Sequence, residues 1–152
     1  MMKLIVGYNT KEEELEIARR VANNAFGTIE TVATKSDLER LKSEVREIHI
    51  DKEVEEYIVD LVFATREPQH YGLAEIKNYI AFGASPRASI DMFKATKALS
   101  YIRGKDHVTP LEVAYIAKEI LRHRIILSYE AEAEGITSDT LIEKVLEVVP
   151  IP

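Results

Sequence analysis

The chain has 152 residues, no cysteine and a formal net charge of −6, from 26 acidic and 20 basic residues. This length suits one domain whose core needs neither disulfides nor a metal, and the lack of cysteine is compatible with a reducing cytoplasm. The acidic balance argues against nucleic acid as a partner, and no stretch approaches the roughly 18 apolar residues of a membrane span. We therefore expect a soluble, cytoplasmic protein with no membrane partner.

The first element in chain order is a short apolar run, Leu4 to Val6 with Tyr8, which Gly7 and Asn9 close. This pattern predicts a single β-strand with no neighbouring strand to pair with. Because a lone strand leaves both of its edges unpaired, it indicates the end of a larger fold. An ordered N-terminal tail is an equal alternative.

Every later segment has a helical pattern. The predicted helices begin at a capping residue, in two cases within a capping box and in two cases before a proline at the first helical position. Gly27, Gly104 and Gly135 are predicted to end helices. The sequence thus predicts an all-α helical bundle of about six helices, with one short N-terminal strand. The predicted starts are Thr10 with Glu13, Ser36 with Glu39, Asp51, Ser85 with Pro86, Thr109 with Pro110, and Ser138.

Two central segments differ in how clearly they can be interpreted. The helix after Asp51 has an apolar face that we expect to be buried. Residues 67–82 are less regular, and they contain one possible short helix at residues 73–79. On the helix after Asp51, the residues expected to face inward are Val54, Tyr57, Ile58, Leu61, Val62 and Thr65.

The segment Gly-Ala-Ser-Pro-Arg-Ala at residues 83–88 places a cation, Arg87, in the first turn of a predicted helix. The exposed N–H groups of a helix start already make that end positive, so an arginine there is mildly unfavourable until an anion binds. Backbone amides, helix dipole and guanidinium can then act on the anion together, and phosphate is the obvious candidate.

The rest of that helix has two apolar stripes, so we expect it to be largely enclosed. Arg87, Asp91 and Lys94 form its one polar seam. The simpler alternative for Arg87 is a surface arginine paired with Asp91, a contact that would contribute almost nothing to stability. The stripes are Ala88, Met92, Ala95, Leu99 and Ile102, and Ile90, Phe93 and Tyr101.

Three motifs occur in order: YIAFGASPRAS at residues 79–89, VTPLEV at 108–113 and LRHRI at 121–125. Together they resemble the C-terminal part of MoxR-family AAA+ ATPases. The resemblance covers the whole chain, because Val6 to Tyr8 with Glu12 to Glu14 resembles the family's last core strand and its exit into the lid. Asn9 departs from the family, which commonly has proline there.

This resemblance implies that residues 1–9 are the end of an ATPase core and that residues 10–152 are a helical lid domain. It also implies that Arg87 is the sensor 2 arginine, which reaches the terminal phosphates of ATP held with magnesium by the core. Ser85 is a further candidate contact for ATP. Tyr8 and Ile17, near the junction, are candidate contacts for adenine, with ordinary packing as the alternative.

The chain lacks the groups that phosphoryl transfer needs. It has no G-x-x-x-x-G-K-[ST] loop to hold phosphates and no Asp-Glu pair after an apolar strand. We therefore expect this chain alone not to be catalytic, and we expect the ATPase core to lie outside it. By the resemblance, the intact protein would be a ring, expected to be a hexamer, that remodels client proteins alongside partners with von Willebrand A domains.

Other candidate sites are weaker. The four histidines have no metal-ligand spacing, so we expect no metal site. We expect His123 to cap a helix end, with a basic contact to a neighbouring subunit as the alternative. Asp106 with His107 lacks a signalled nucleophile, and the acidic residues at 12–14 and 130–134 fit a helix first turn and a solvated face, with a basic partner as the sharper alternative.

Two other classes of protein stay open. A free-standing helical interaction domain could bind a partner peptide or helix in a groove. A helix-turn-helix regulator is also conceivable, but the acidic balance and the lack of a basic recognition helix argue against it.

Overall fold

The computed structural model describes residues 2–25 and 27–152 and is mostly helical. Two strands, β1 (Ile80–Phe82) and β2 (Ile126–Leu127), pair antiparallel. Two 3₁₀ helices, at Pro68–Tyr71 and Ala74–Tyr79, precede β1. The α-helices are α1 (Lys11–Ala22), α2 (Lys35–Glu47), α3 (Lys52–Ala64), α4 (Pro86–Ile102), α5 (Pro110–Leu121), α6 (Tyr129–Ala133) and α7 (Ser138–Val148).

Most predicted helix starts are confirmed. The Thr10 and Glu13 side chains form the predicted capping box, and α4 and α5 begin at their prolines. The start of α2 was wrong by two residues, because Thr34 and not Ser36 is its N-cap. Asp37 supplies the returning carboxylate, which accepts the Thr34 backbone N–H at 2.9 Å. The possible helix at residues 73–79 is confirmed as the second 3₁₀ helix.

The predicted N-terminal strand is not formed. Residues 2–10 contain no strand, and the side chains of the apolar run are exposed. The main chain of Lys3 does make one contact, donating its N–H to the carbonyl of Glu119 at 2.8 Å. In the described part of the chain the segment pairs with neither β1 nor β2, so its apolar pattern is not part of a sheet.

The core lies between α3, α4, α5 and α7. The predicted inward face of α3 is confirmed, since all six of its positions are buried. In contrast, α1 and α2 have no buried residues, and the apolar residues Leu15, Ile17 and Val21 of α1 stay about half exposed. The buried core therefore contains no residue of α1.

The enclosure of α4 was predicted wrongly. Its fully buried stripe is Ala88, Met92, Thr96 and Ser100, whereas Ile90 and Ile102 are exposed. The Thr96 hydroxyl donates to the Met92 carbonyl at 2.8 Å, so this polar side chain is satisfied within its own helix. A satisfied hydroxyl can be buried at little cost, and a search for apolar spacing alone misses it.

A buried carboxylate holds the α4–α5 connection together. The Glu112 side chain is completely buried and accepts hydrogen bonds from Arg103 at 2.9 Å and from Lys105 at 2.8 Å. Its second carboxylate oxygen accepts hydrogen bonds from the backbone N–H and the hydroxyl of Thr109. Burial opposes ionisation, but the bonds from Lys105, Thr109 and Arg103 outweigh burial and lower the pKa of Glu112 to about 2.

Among the described residues, no helix is long and apolar enough to cross a bilayer.

We predict that Glu112→Gln lowers the free energy of unfolding at neutral pH by about 2 kcal/mol, because it leaves two cations without their counter-charge. The ordinary carboxyl pKa of 4.5 applies to the unfolded chain and a pKa of about 2 to the folded chain. The contribution of the carboxylate is therefore complete above pH 4.5 and is lost as the pH falls towards 2. Urea unfolding across this range should show the two proteins converging in stability.

Glu143→Gln is the matched control, because Glu143 pairs with Lys118 on the surface and is about half exposed. We expect it to change stability by less than about 0.5 kcal/mol. An effect of Glu112→Gln no larger than that of this control would contradict the structural role of the buried carboxylate.

Candidate functional site

Arg87 lies in the first turn of α4 and its side chain is exposed. Within the described part of the chain, this guanidinium makes no hydrogen bond and no ion pair. The alternative expectation, that Arg87 pairs with Asp91, is wrong. The carboxylate of Asp91 instead receives the guanidinium of Arg124, from the turn after α5.

The ion pair between Asp91 and Arg124 is well shielded, with the two side chains 15% and 10% exposed. It joins α4 to the segment between α5 and β2. Pairs that are this shielded are held more firmly than surface pairs, because water competes less for the charges. Asp91, one turn after Arg87, is therefore paired with Arg124 and not with Arg87.

The loop before Arg87 is anchored to the end of α3. Thr65 is fully buried, and its hydroxyl accepts the N–H of Ala84 at 2.9 Å while donating to the carbonyl of Val62 at 2.7 Å. The Arg66 side chain donates to the carbonyl of Ala84, and its guanidinium lies 4.9 Å from the centre of the Phe63 ring. Both backbone groups of Ala84 are therefore held by Thr65 and Arg66, the two residues that directly follow α3.

Gly83 is required by this close approach. A Cβ atom at this position would lie 2.3 Å from the Thr65 carbonyl oxygen and 2.9 Å from the Cα of Arg66. Both are backbone atoms, so they cannot rotate away as a side chain would. The glycine allows the loop to pass directly over the end of α3, which fixes where α4 begins.

Ser85 is the N-cap residue of α4, and it is exposed. Its side chain makes no capping hydrogen bond, unlike the caps of α1 and α2. The first turn of α4 therefore presents backbone amides without a side-chain acceptor, next to the Arg87 guanidinium. This arrangement suits an anion such as a phosphate.

In the described ranges, no three His, Cys, Asp or Glu side chains are grouped as metal ligands. Asp106 and His107 do hydrogen-bond at 2.7 Å, as an exposed pair on the loop before α5.

Tyr8 and Ile17, the candidate adenine contacts, have no observed contact with Arg87 among the described residues. Tyr8 is fully exposed, and Ile17 is about half exposed on α1. Ile17 lines an open hollow of about 500 Å³ with Asn9, Glu12, Glu13, Glu16 and Arg20. Their role in ATP binding stays a prediction, since α1 buries no residue against the bundle.

The N-terminal segment is attached near the turn that follows α5. Arg122 donates to the carbonyl of Lys3 at 3.1 Å and forms a two-bond ion pair with Asp139, at 2.6 and 2.9 Å. The motif at residues 121–125 thus supplies two arginines that tie separate elements together, a function that sequence reasoning missed. The only sequence signal for these two ion pairs is the presence of an acidic residue at a distant position in the chain. Its histidine, His123, has a pKa lowered by partial burial and by Arg124, and its capping role stays a prediction.

Comparison with known proteins matches this arrangement to one family. A profile of the AAA lid domain matches residues 73–145. The chaperone MoxR1 of Mycobacterium tuberculosis is 37% identical over the whole chain, and the uncharacterised protein YeaC of Bacillus subtilis is 33% identical over the whole chain. The protein MoxR of Paracoccus denitrificans is 30% identical over 68% of the chain.

The chain spans less than half the length of these relatives, namely 40%, 45% and 32% in the same order. It corresponds to their C-terminal part. A crystal structure of a candidate ATPase from Cytophaga hutchinsonii superposes on the whole chain with a TM-score of 0.93 at 42% sequence identity. The chain covers 46% of that protein.

We predict that Gly83→Ala lowers the free energy of unfolding by about 2 kcal/mol or more, because the added methyl group must displace backbone. Gly27→Ala is the control, since nothing lies within 4 Å of the corresponding position. Its stability should be unchanged or slightly raised, as expected for removing glycine from a permissive site. Equal stabilities of the two variants in urea unfolding would show that the loop does not need this close approach.

Proposed function

Because the chain belongs to the MoxR-type AAA+ ATPases and corresponds to their lid domain, we propose that Arg87 is the sensor 2 arginine. In this role, it contacts the terminal phosphates of ATP bound by an ATPase core outside this chain. ATP and its Mg²⁺ are held mainly by that core, and this chain supplies a positive group that completes the phosphate environment.

The observation that carries the proposal is the exposed guanidinium of Arg87 at the start of α4, which has no hydrogen bond or ion pair with any residue that the structure describes. Other arginines are engaged in internal contacts, as Arg66, Arg122 and Arg124 are. A charge without an internal partner costs little to direct at a ligand, because no existing ion pair has to be broken. The unused capping position at Ser85 adds amide donors beside it.

The anchored loop gives this contact a mechanical consequence. Ala84 is held by Thr65 and Arg66, so a force on Arg87 is transmitted to α3 as well as to α4. ATP binding would draw the bundle towards the core through Arg87, and hydrolysis would release it. Phosphate chemistry in the core is thereby converted into motion of the lid.

The junction with the core is the second part of the proposal. The exposed apolar residues Leu15, Ile17 and Val21 on α1 suit a surface that the core covers. Tyr8 and Ile17 would contact adenine at this junction. Residues 1–9 would complete the last strand of the core, and the described part of this segment, residues 2–9, pairs with no strand in the bundle.

The family further suggests the setting of the intact protein. We propose a cytoplasmic, ATP-hydrolysing ring, expected to be a hexamer, in which each lid works with its own core and with neighbouring subunits. Its activity would be chaperone-like remodelling of client proteins, with von Willebrand A domain proteins as candidate partners.

We predict that Arg87→Ala in the full-length ATPase lowers the rate of ATP hydrolysis by about tenfold or more, because a charge aimed at the phosphates is lost. The free energy of unfolding of the lid should change by less than about 0.5 kcal/mol, since the exposed side chain makes no hydrogen bond or ion pair with the described residues. Steady-state hydrolysis and urea unfolding measure the two effects separately.

Lys77→Ala is the control for this experiment, because Lys77 is an exposed cation on the second 3₁₀ helix and not on α4. It should hydrolyse ATP at the rate of the unmodified protein. Unchanged hydrolysis and unchanged nucleotide affinity in Arg87→Ala would refute the sensor role.

A further inference from the structure

A second surface, separate from Arg87, lies between α2 and α4. Leu38, Leu41 and Val45 of α2 and Ala98 of α4 form the apolar floor of an open groove with a volume of about 460 Å³. Leu38 is 51% exposed, although it belongs to the apolar face of its helix. The three α2 residues extend along about two helical turns, or roughly 10 Å.

The rim of this groove is entirely basic. Its charged lining residues are Lys42, Arg46, Lys94 and Lys97, and no acidic residue lines it. The whole chain has a net charge of −6, so a local group of four cations opposes the average of the surface. The groove therefore favours a negatively charged ligand, although the chain as a whole is acidic.

Few of these cations are neutralised within the chain. Lys42 pairs with Glu39 at 2.9 Å on the exposed side of α2. Lys97 donates to the backbone carbonyl of Arg46 at 2.9 Å, which adds no negative charge. Within the part of the chain that the structure describes, the side chains of Arg46 and Lys94 have no acidic partner.

We propose that the α2–α4 groove is a docking site for an acidic, amphipathic helix of a separate partner protein. The apolar floor takes one stripe of such a helix, and its flanking carboxylates pair with the basic rim. A nucleic acid would use the cations but would leave the apolar floor without a complement, so the combination favours a helix.

The experiment uses a labelled peptide designed as an amphipathic helix, with leucines on one face and glutamates on the flanks. Fluorescence anisotropy measures its binding to this protein at low and high salt. Two matched peptides separate the contributions, one with lysines in place of glutamates and one with alanines in place of leucines. A short DNA duplex and a peptide of residues 10–25 of this chain test other occupants.

We expect the glutamate–leucine peptide to bind, and salt to weaken it, because surface charges contribute. Lys94→Glu should lower its affinity by about tenfold or more, since the substitution places like charges opposite each other. Leu38→Ser should weaken binding through the apolar floor. Lys77→Glu makes the same charge change outside the groove and should leave binding unchanged, and circular dichroism should show that all three variants are folded.

Several results would overturn the proposal. These are no binding of the glutamate–leucine peptide, equal binding of either matched peptide, or equal loss with Lys77→Glu. Preferential binding of the DNA duplex at the groove would assign the site to nucleic acid instead. Tighter binding of the residue 10–25 peptide than of the designed peptide would assign the groove to a second copy of this chain and not to a separate partner.

Discussion

The buried hydroxyl of Thr65 is the contact on which the position of the candidate site depends. It links the last turn of α3 to the N–H of Ala84, and Arg66 takes the carbonyl of the same residue. Gly83 makes this possible, because any side chain there would meet the backbone of α3. Since the loop has little freedom, α4 begins at a defined place and its first residues face solvent in a defined direction.

Charges in this protein divide into those that hold the bundle together and those that are left for contacts outside it. Glu112, Asp91 and Asp139 each receive at least one arginine or lysine, and they tie α4, α5 and α7 to one another. Arg87 and Lys94 lack such partners in the described residues, and they are seven positions apart on one side of α4. One rigid helix thus carries both the proposed phosphate contact and one edge of the basic groove, while its opposite side is buried.

The outer elements leave apolar side chains exposed. The apolar residues of α1 stay exposed, and residues 2–10 pair with no strand. Exposed apolar stripes of this kind mark surfaces that another part of a protein covers. The relatives are more than twice as long as this chain, which fits a lid that completes its packing against the rest of the protein.

Local rules in the sequence determined most helix starts, the inward face of α3 and the position of Arg87 at a helix N-terminus, because capping and periodicity depend on residues only a few positions apart. The motifs at residues 79–89, 108–113 and 121–125 also identified the family. Only the tertiary structure decided that Arg124 forms an ion pair with Asp91 and that the Thr65 hydroxyl accepts the N–H of Ala84. It also decided that α4 buries Thr96 and exposes Ile102. Those choices join residues distant in the chain, and the packing of whole helices, which no local pattern encodes, determines which charges are paired and which remain free.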